Sequence, residues 1–417
     1  GGVAPEVWCE RLEGTRMDNF GMLYHYELKK LSQRKLTWAV LLVLAAFMAY
    51  SAWPNHGPGG LNASLTDQNG DTINRHISVQ EQRDLERQGG RRISGQAMDE
   101  AFFQKVRGAA AGDGRYIIQE RYDLDCYFYL VDSSYYEPFY MVADRHDMGV
   151  DPASVTAEQF CQSRREIIER QWETEAETAY WEAMEARVEK PFTFRYTKGY
   201  QKILSDVFGL SNVIPLAVAV CLCGVFSEER RTRVDAVLFS CRKGQLPLYL
   251  AKVLAGLTAA LAVTLLLIGV DAGIVLLTQG FDGFDGALQL GNLTSSLPLS
   301  MGQAVLIMLG LLILYGLLSG GATMLLSALT RNTIAALAGP VMLMMGQAWL
   351  RLDIQTAEYL PNQLFNVLPT FRNTHLVEFF GVYLNNLQFG YILYGGLAAA
   401  LTALCWLGWR RSAVGKA

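Results

Sequence analysis

The chain has 417 residues, of which 51% are hydrophobic and 18% charged, with a formal net charge of −4. A soluble protein usually carries about a quarter charged residues, so the composition points away from a wholly soluble chain. So small a net charge gives no support to a nucleic-acid partner. Along the chain, polar protein up to about Lys35 and from Pro54 to Ser205 alternates with apolar runs of about 20 residues, the length that spans hydrocarbon.

Residues 1–16 differ in character from the rest of the chain and read as a non-native or extended N-terminus, with Met17 as a candidate start. In residues 17–35, Phe20, Tyr24, Leu28 and Leu31 recur at helical spacing, with Glu27, Lys29, Lys30 and Arg34 on other faces. This pattern predicts an amphipathic elbow helix lying in the membrane interface. It leads into a first span at 36–53. Ala49, Ser51 and Ala52 would also suit signal-peptide cleavage, but the long patterned leader favours a retained helix.

Residues 54–205 are expected to form an α or α+β extracytoplasmic domain. Within it, Asp99–Val106 reads as a short helix and Tyr116–Val131 as strand-forming. Thr156 and Gln159 have capping-box spacing at the head of one long helix that Pro191 would stop near Lys190. Its stripe of Phe160, Ile167, Ile168, Trp172, Trp181 and Val188 reads as a buried face. Cys126 and Cys161 both fall in this domain and are candidates for a disulfide. His56, His76 and His146 are scattered and read as solvated rather than metal-bound. Asn62-Ala63-Ser64 and Asn292-Leu293-Thr294 match a glycosylation acceptor pattern that is frequent by chance.

Five more spans are expected, at 210–226, 248–278, 301–329, 333–350 and 390–409. A cytoplasmic segment at 227–245, an outer hairpin or loop at 351–389 and a cytoplasmic tail at 410–417 complete the chain. Lys and Arg cluster before the first span, at Arg230 to Lys243, at Arg331 and at Arg410–Arg411, whereas Gly280 to Ser300 carries only Asp282 and Asp285. The expected fold is therefore an all-α membrane protein with six transmembrane helices and both termini cytoplasmic.

Phosphate-loop, His-Glu-x-x-His and Gly-x-Ser-x-Gly signatures are absent from the sequence. The chain is expected not to be an enzyme and to bind no cofactor itself. Between the second and third spans, Val234, Val237 and Leu238 give one apolar side to a segment whose Glu228, Glu229, Arg231 and Asp235 can face outward. A short amphipathic helix tethered at both ends to membrane spans could carry a partner's push into them as a rigid-body movement. On the residues alone, an interfacial loop that merely anchors topology is an equal reading.

This segment, with Phe226, Glu229, Asp235, Ser240, Gly244 and Lys252, resembles the coupling-helix region of ABC-2-type (type V) export permeases. Glu27, Leu28 and Lys30 resemble that family's elbow helix. Trp181, Pro191, Phe192, Tyr196, Gly199 and Tyr200 look like the approach to the second span in members with a long first outer loop, and Leu368-Pro369 resembles the outer hairpin. Arg233, where a small residue is usual, and Gln245, where a basic one is common, depart from the pattern. The resemblance implies a permease subunit in the plasma membrane, paired with an identical or homologous permease. Glu228, Glu229, Arg230, Arg231, Arg233, Asp235 and Leu238 would contact cytoplasmic ATPase subunits that hold ATP and magnesium.

Within the spans, Thr264, Asp271, Gln303, Tyr315, Ser319 and Gln347 are candidate pathway residues, expected to collect on one inter-subunit surface. Gly269-x-x-x-Gly273 and Gly316-x-x-x-Gly320 are candidate helix-packing faces, and Pro340 is expected to kink the fifth span. Asp271 is a functional candidate because a carboxylate within an apolar run is costly. A rival from another class is a membrane sensor or immunity protein whose outer domain binds a ligand without transport. A membrane-embedded hydrolase lacks a nucleophile–base pair.

Overall fold

The computed structural model describes residues 16–53, 61–66, 72–111, 116–119, 127–130, 154–227, 245–330, 332–346, 357–372 and 375–414, together with 135, 138, 141 and 142. Helix α1 spans Arg16–Ser32 and α2 Lys35–Ala52. The corner between them is closed by the Trp38 indole, which donates to the Ser32 carbonyl at 2.6 Å. On α2, Thr37, Leu41, Met48 and Ala52 form one buried stripe, while Leu36, Leu42, Val43 and Phe47 are exposed. A helix apolar all round with one packed face suits a lipid boundary.

The polar region begins with strands β1, Leu61–Thr66, and β2, Thr72–Ile77, followed by α3, Val79–Ile93, and α4, Glu100–Ala111. Strands β3, Tyr116–Gln119, and β4, Tyr127–Leu130, complete an antiparallel sheet of order β2-β1-β3-β4. The strands predicted at Tyr116–Val131 thus form, and the Asn62 acceptor motif lies in β1. Helices α5, Ala157–Glu169, and α6, Glu175–Glu185, come next.

The single long helix expected from Thr156 to Lys190 is therefore two. Thr174 caps α6 with its own capping box to Glu177, just as Thr156 caps α5 through Gln159. A second cap inside the run restarts the helix in a new direction. Phe102, Phe103, Phe160, Phe192 and Phe194 fill the domain core, joined by Leu293 from a distant loop. Cys161 is exposed and unbridged among the described residues; Cys126, its candidate disulfide partner, lies outside them.

Helix α7 runs from Lys198 to Leu222, so the second span starts twelve residues earlier than the expected 210. Helix α8 is Gln245–Gln279, α9 Met301–Leu329 and α10 Thr333–Gly346. Two single-turn helices, α11 at Pro361–Leu364 and α12 at Val367–Thr370, precede a hairpin of β5, Val377–Phe379, and β6, Val382–Leu384. The last helix, α13, spans Asn386–Val414. Among the described residues, five helices are long and apolar enough to cross a membrane, namely α2, α7, α8, α9 and α13. The expected fifth of six spans, 333–350, corresponds to α10, of which the described residues hold the apolar run Thr333–Met342, while 347–350 lie outside them.

Helix α9 is the hub, packed against α7, α8, α10 and α13. Gly316 faces Thr264 of α8 so closely that a Cβ would strike its hydroxyl, and a Cβ on Gly320 would come within 3.0 Å of the Ala260 Cβ. Gly316 and Gly320 thus form the expected close-approach face. At Gly269 and Gly273, a Cβ would meet no atom of the described residues within 4 Å, so no described helix of this chain approaches them closely. At the far end of α8, Gly280 adopts φ +101° and closes the helix with a bond from its N–H to the Leu276 carbonyl at 2.9 Å, a conformation that glycine alone adopts without penalty.

Replacing Gly316 with Leu should lower stability by about 1–3 kcal/mol through overpacking, while Gly269→Ala should leave it unchanged within about 0.5 kcal/mol. Thermal unfolding of the detergent-solubilised chain measures both.

Candidate functional site

The end of the bundle that carries the sheet domain is termed distal here, and the opposite end proximal. The candidate coupling residues Glu228, Glu229, Arg230, Arg231, Arg233, Asp235 and Leu238 lie outside the described residues, as does Gln347. The described residues that flank this segment are Ser227 and Gln245.

On the first flank, the chain leaves α7 in a turn held by one hydroxyl. Ser327 Oγ of α9 accepts from the Phe226 and Ser227 N–H groups at 3.1 and 3.0 Å and donates to the Cys223 carbonyl at 2.9 Å. These bonds satisfy backbone groups that the end of a helix otherwise leaves unpaired. Ser227 Oγ also bonds Thr333 Oγ1 at 3.1 Å, which ties the turn to α10.

On the second flank, the Phe226 ring stacks on Tyr249 of α8 at 6.3 Å, and Tyr249 packs edge-on to Trp406 of α13 at 4.9 Å. The Tyr249 hydroxyl donates to the Thr402 carbonyl at 2.8 Å. Three residues further along α8, Lys252 is fully buried and donates to Glu27 of α1 at 2.8 Å. Tyr24 donates to Thr258 Oγ1 at 3.0 Å. The elbow helix, α9, α10, α13 and both flanks of the 228–244 segment therefore meet in one packed junction. The sequence singles out Glu27 and Lys252 separately, and their separation of 225 positions hides the pairing. No sequence signal marks Ser327, and its role emerges only from the fold.

The pathway candidates do not share an exposed face. Thr264, Ser319 and Asp271 are buried within the chain. Thr264 and Ser319 donate back to carbonyls one turn earlier in their own helices, each at 2.8 Å. Tyr315 lies in an aromatic group with Phe365 and Tyr394. Gln303 is exposed but caps α9, its side chain accepting from the Ser300 N–H at 2.9 Å. Within the chain, Thr264, Tyr315 and Ser319 thus take part in intrachain packing, the two hydroxyls of Thr264 and Ser319 satisfying themselves locally. Asp271 instead lies within electrostatic range of the Lys202–Asp206 ion pair of α7, whose Nζ to Oδ1 distance is 2.5 Å. Lys202 and Asp206 are absent from the sequence-based candidates, although their i, i+4 spacing beside an apolar run is a visible signal.

Distally, the loop between α8 and α9 receives the sheet domain. Arg91 pairs with Asp282, and Arg195 with Asp285 at 3.1 Å. Arg164, almost wholly buried, pairs with Glu185 and donates to the Leu293 and Ser295 carbonyls, both at 2.8 Å. Burial opposes ionisation of Glu185, but Arg164 and Lys190 together hold its carboxyl below the usual range. Asn292 is buried and its amide donates to the Leu368 carbonyl at 3.3 Å, a position closed to a glycan. A cleft of about 380 Å³ along this boundary is lined by Arg187, Thr193, Arg195, Asp285, Gln289 and Ser300. Among the described residues, no cluster of three or more His, Cys, Asp or Glu side chains could hold a metal ion.

On the same side, His375 Nδ1 lies 3.1 Å from Glu177 Oε1. Burial works against both charges. The Glu173 N–H, then His375, hold the Glu177 carboxyl below its ordinary value, and Glu177 raises the His375 imidazole above its own.

The chain matches no protein-family model, no curated protein and no solved structure. The architecture defines a multi-pass integral membrane protein with a polar domain inserted between its first two long apolar helices.

The two ion pairs are separable by stability measurements. Lys252→Met should destabilise the chain by at most about 3–5 kcal/mol, since it leaves the buried Glu27 carboxylate only the Lys30 ammonium at 3.9 Å, and adding Glu27→Leu should restore most of the loss; thermal unfolding in detergent reads both. The Glu177–His375 pair contributes about 1 kcal/mol at most. Its glutamate part fades as pH falls below the carboxylate range, and its histidine part as pH rises through the elevated imidazole value. His375→Ala should therefore lower the melting temperature most near neutral to mildly acidic pH and least at either extreme.

Proposed function

We infer that this chain is the membrane subunit of an ATP-driven exporter of the ABC-2 type. It would work with a second permease subunit, identical or homologous, and with separate ATPase subunits that carry ATP and magnesium. The reading rests on the resemblance in residues 226–252 and on the absence of a phosphate loop. The observation that supports it most directly is the junction at the segment's base. Ser227, Phe226, Tyr249 and Lys252 bind its two flanks to each other and to α1, so a force applied between them would reach α7, α8 and the elbow together. In this reading the proximal end is cytoplasmic, both termini lie there, the sheet domain faces outward, and the host membrane is the plasma membrane. The chain itself catalyses nothing.

A sensor or immunity protein is the second reading, favoured by one observation. Four of the side chains expected to line a pathway, Thr264, Asp271, Tyr315 and Ser319, are buried inside a single chain, while a polar cleft opens where the sheet domain meets the α8–α9 loop. In that case, the outer domain would bind a ligand and the junction would relay its occupancy.

Replacing Glu229 and Asp235 together with Ala separates the two. The exporter reading expects a nucleotide-binding subunit to co-purify with the unmodified chain in equal amount. Recovery should fall about tenfold in the double variant, the factor that 1.4 kcal/mol of lost contact produces. Unchanged recovery together with unchanged transport would overturn it.

A further inference from the structure

Helices α7 and α8 run antiparallel, and their distal ends touch: a Cβ on Gly199 would stand 2.8 Å from the Gly280 carbonyl. Asp206 lies eight residues after Lys198, and Asp271 eight residues before Gln279. Each is thus about 12 Å of helix from the distal end, so the two carboxylates occupy the same depth. Asp271 is fully buried, and neither of its carboxylate oxygens has a hydrogen-bond partner among the described residues. Asp206 Oδ1 accepts from Lys202, and its Oδ2 is equally unpartnered.

Buried polar atoms without partners are rare in native structures, and each calls for an explanation. Here three carboxylate oxygens are orphaned in one place. With both acids ionised, the group carries two negative charges and one positive. Among the described residues, no other element corrects the imbalance. Met301–Leu329 of α9 has no acidic or basic residue, and neither has Leu36–Ala52 of α2. The acidic and basic side chains that α1 brings to α8 meet it at Lys252, toward the proximal end. Arg87, Arg91 and Asp282 gather at Gly280, beyond the distal end of α8. A single proton makes the group neutral. It also turns an acceptor-only carboxylate into a carboxylic acid with a donor of its own.

We propose that Asp271, flanked by Asp206 and Lys202, is a proton-binding site of the membrane region, with the proton held on the Asp271 carboxyl. The step is simple: a carboxylate oxygen takes a proton from hydronium, one O–H bond forms, water is left behind and no electrons change hands. Lys202, whose side chain is 32% exposed, is the member of the group that reaches the outside of the bundle. This site does not depend on the exporter reading, and it would serve a sensor as well.

Infrared spectroscopy of the full chain in lipid nanodiscs tests the proposal. At neutral pH the spectrum should contain the carbonyl stretch of a neutral carboxylic acid, shifted by exchange into deuterium oxide. The band should be lost at every pH in Asp271→Asn, confined to lower pH in Asp206→Asn, where Lys202 alone balances an ionised Asp271, and unaffected by replacing choline chloride with sodium or potassium chloride at fixed pH. Absence of the band, its survival in Asp271→Asn, or its abolition by sodium would each overturn the proposal, the last by making the site one for a metal cation. Dicyclohexylcarbodiimide, which adds to protonated carboxyls in apolar surroundings, gives a second reading on the unmutated chain should Asp271→Asn fail to fold. Mass mapping should place the adduct on Asp271 and show it diminished at alkaline pH. A chain left unlabelled at Asp271 would overturn the proposal too.

Discussion

In a bilayer, apolar side chains gain nothing by leaving lipid for one another, so helices associate through close fit and polar contact. The approach of α9 to α8 at Gly316 and Thr264 is where this chain meets that constraint. Without side chains at 316 and 320, the two backbones draw together and Ala260 and Thr264 settle into the gap. With α8 held there, α7 and α13 pack on either side of α9, and α2 closes against α7 and α8. Thr264 fits the crowded seam because its hydroxyl bonds within its own helix.

The remaining polar contacts concentrate at the two ends of the bundle, and they work differently there. At the proximal end, a serine hydroxyl, an aromatic stack and one buried ion pair join segments far apart in sequence. At the distal end, the connection is a series of arginines from the sheet domain reaching Asp282, Asp285 and loop carbonyls. The lack of basic residues between Gly280 and Ser300, which bears on topology, therefore has a second physical cause: that loop is the acidic partner of an arginine-rich surface.

The long apolar helices are legible in the sequence, since a span announces itself by length and hydropathy. Its limits lie where neighbours decide. The α7 boundary reads too late because Lys202 and Asp206 look like the end of a soluble domain, yet as an ion pair they continue the helix. The break between α5 and α6 is written in the Thr174–Glu177 box but masked by a continuous apolar stripe. Two Gly-x-x-x-Gly motifs look equivalent, and among the described residues only one has a helix against it, because the motif records what is small and not what is near. The candidate site is legible as a segment between two spans; the Ser327 network and the Glu27–Lys252 pair beneath it depend on contacts that no local pattern encodes.

Leu293 belongs to the hydrophobic core of the sheet domain although it sits in the turn between α8 and α9, and Arg164 spends its guanidinium on carbonyls of that same turn. The domain between the first and second long helices is consequently not a separable bead on a tether. Cut free at its two chain crossings, it would leave an apolar hole beside Phe160 and a buried cation without acceptors. Any tilt of one component must carry the other with it, so what happens in the watery part is mechanically continuous with the hairpin joining two of the bundle's central helices.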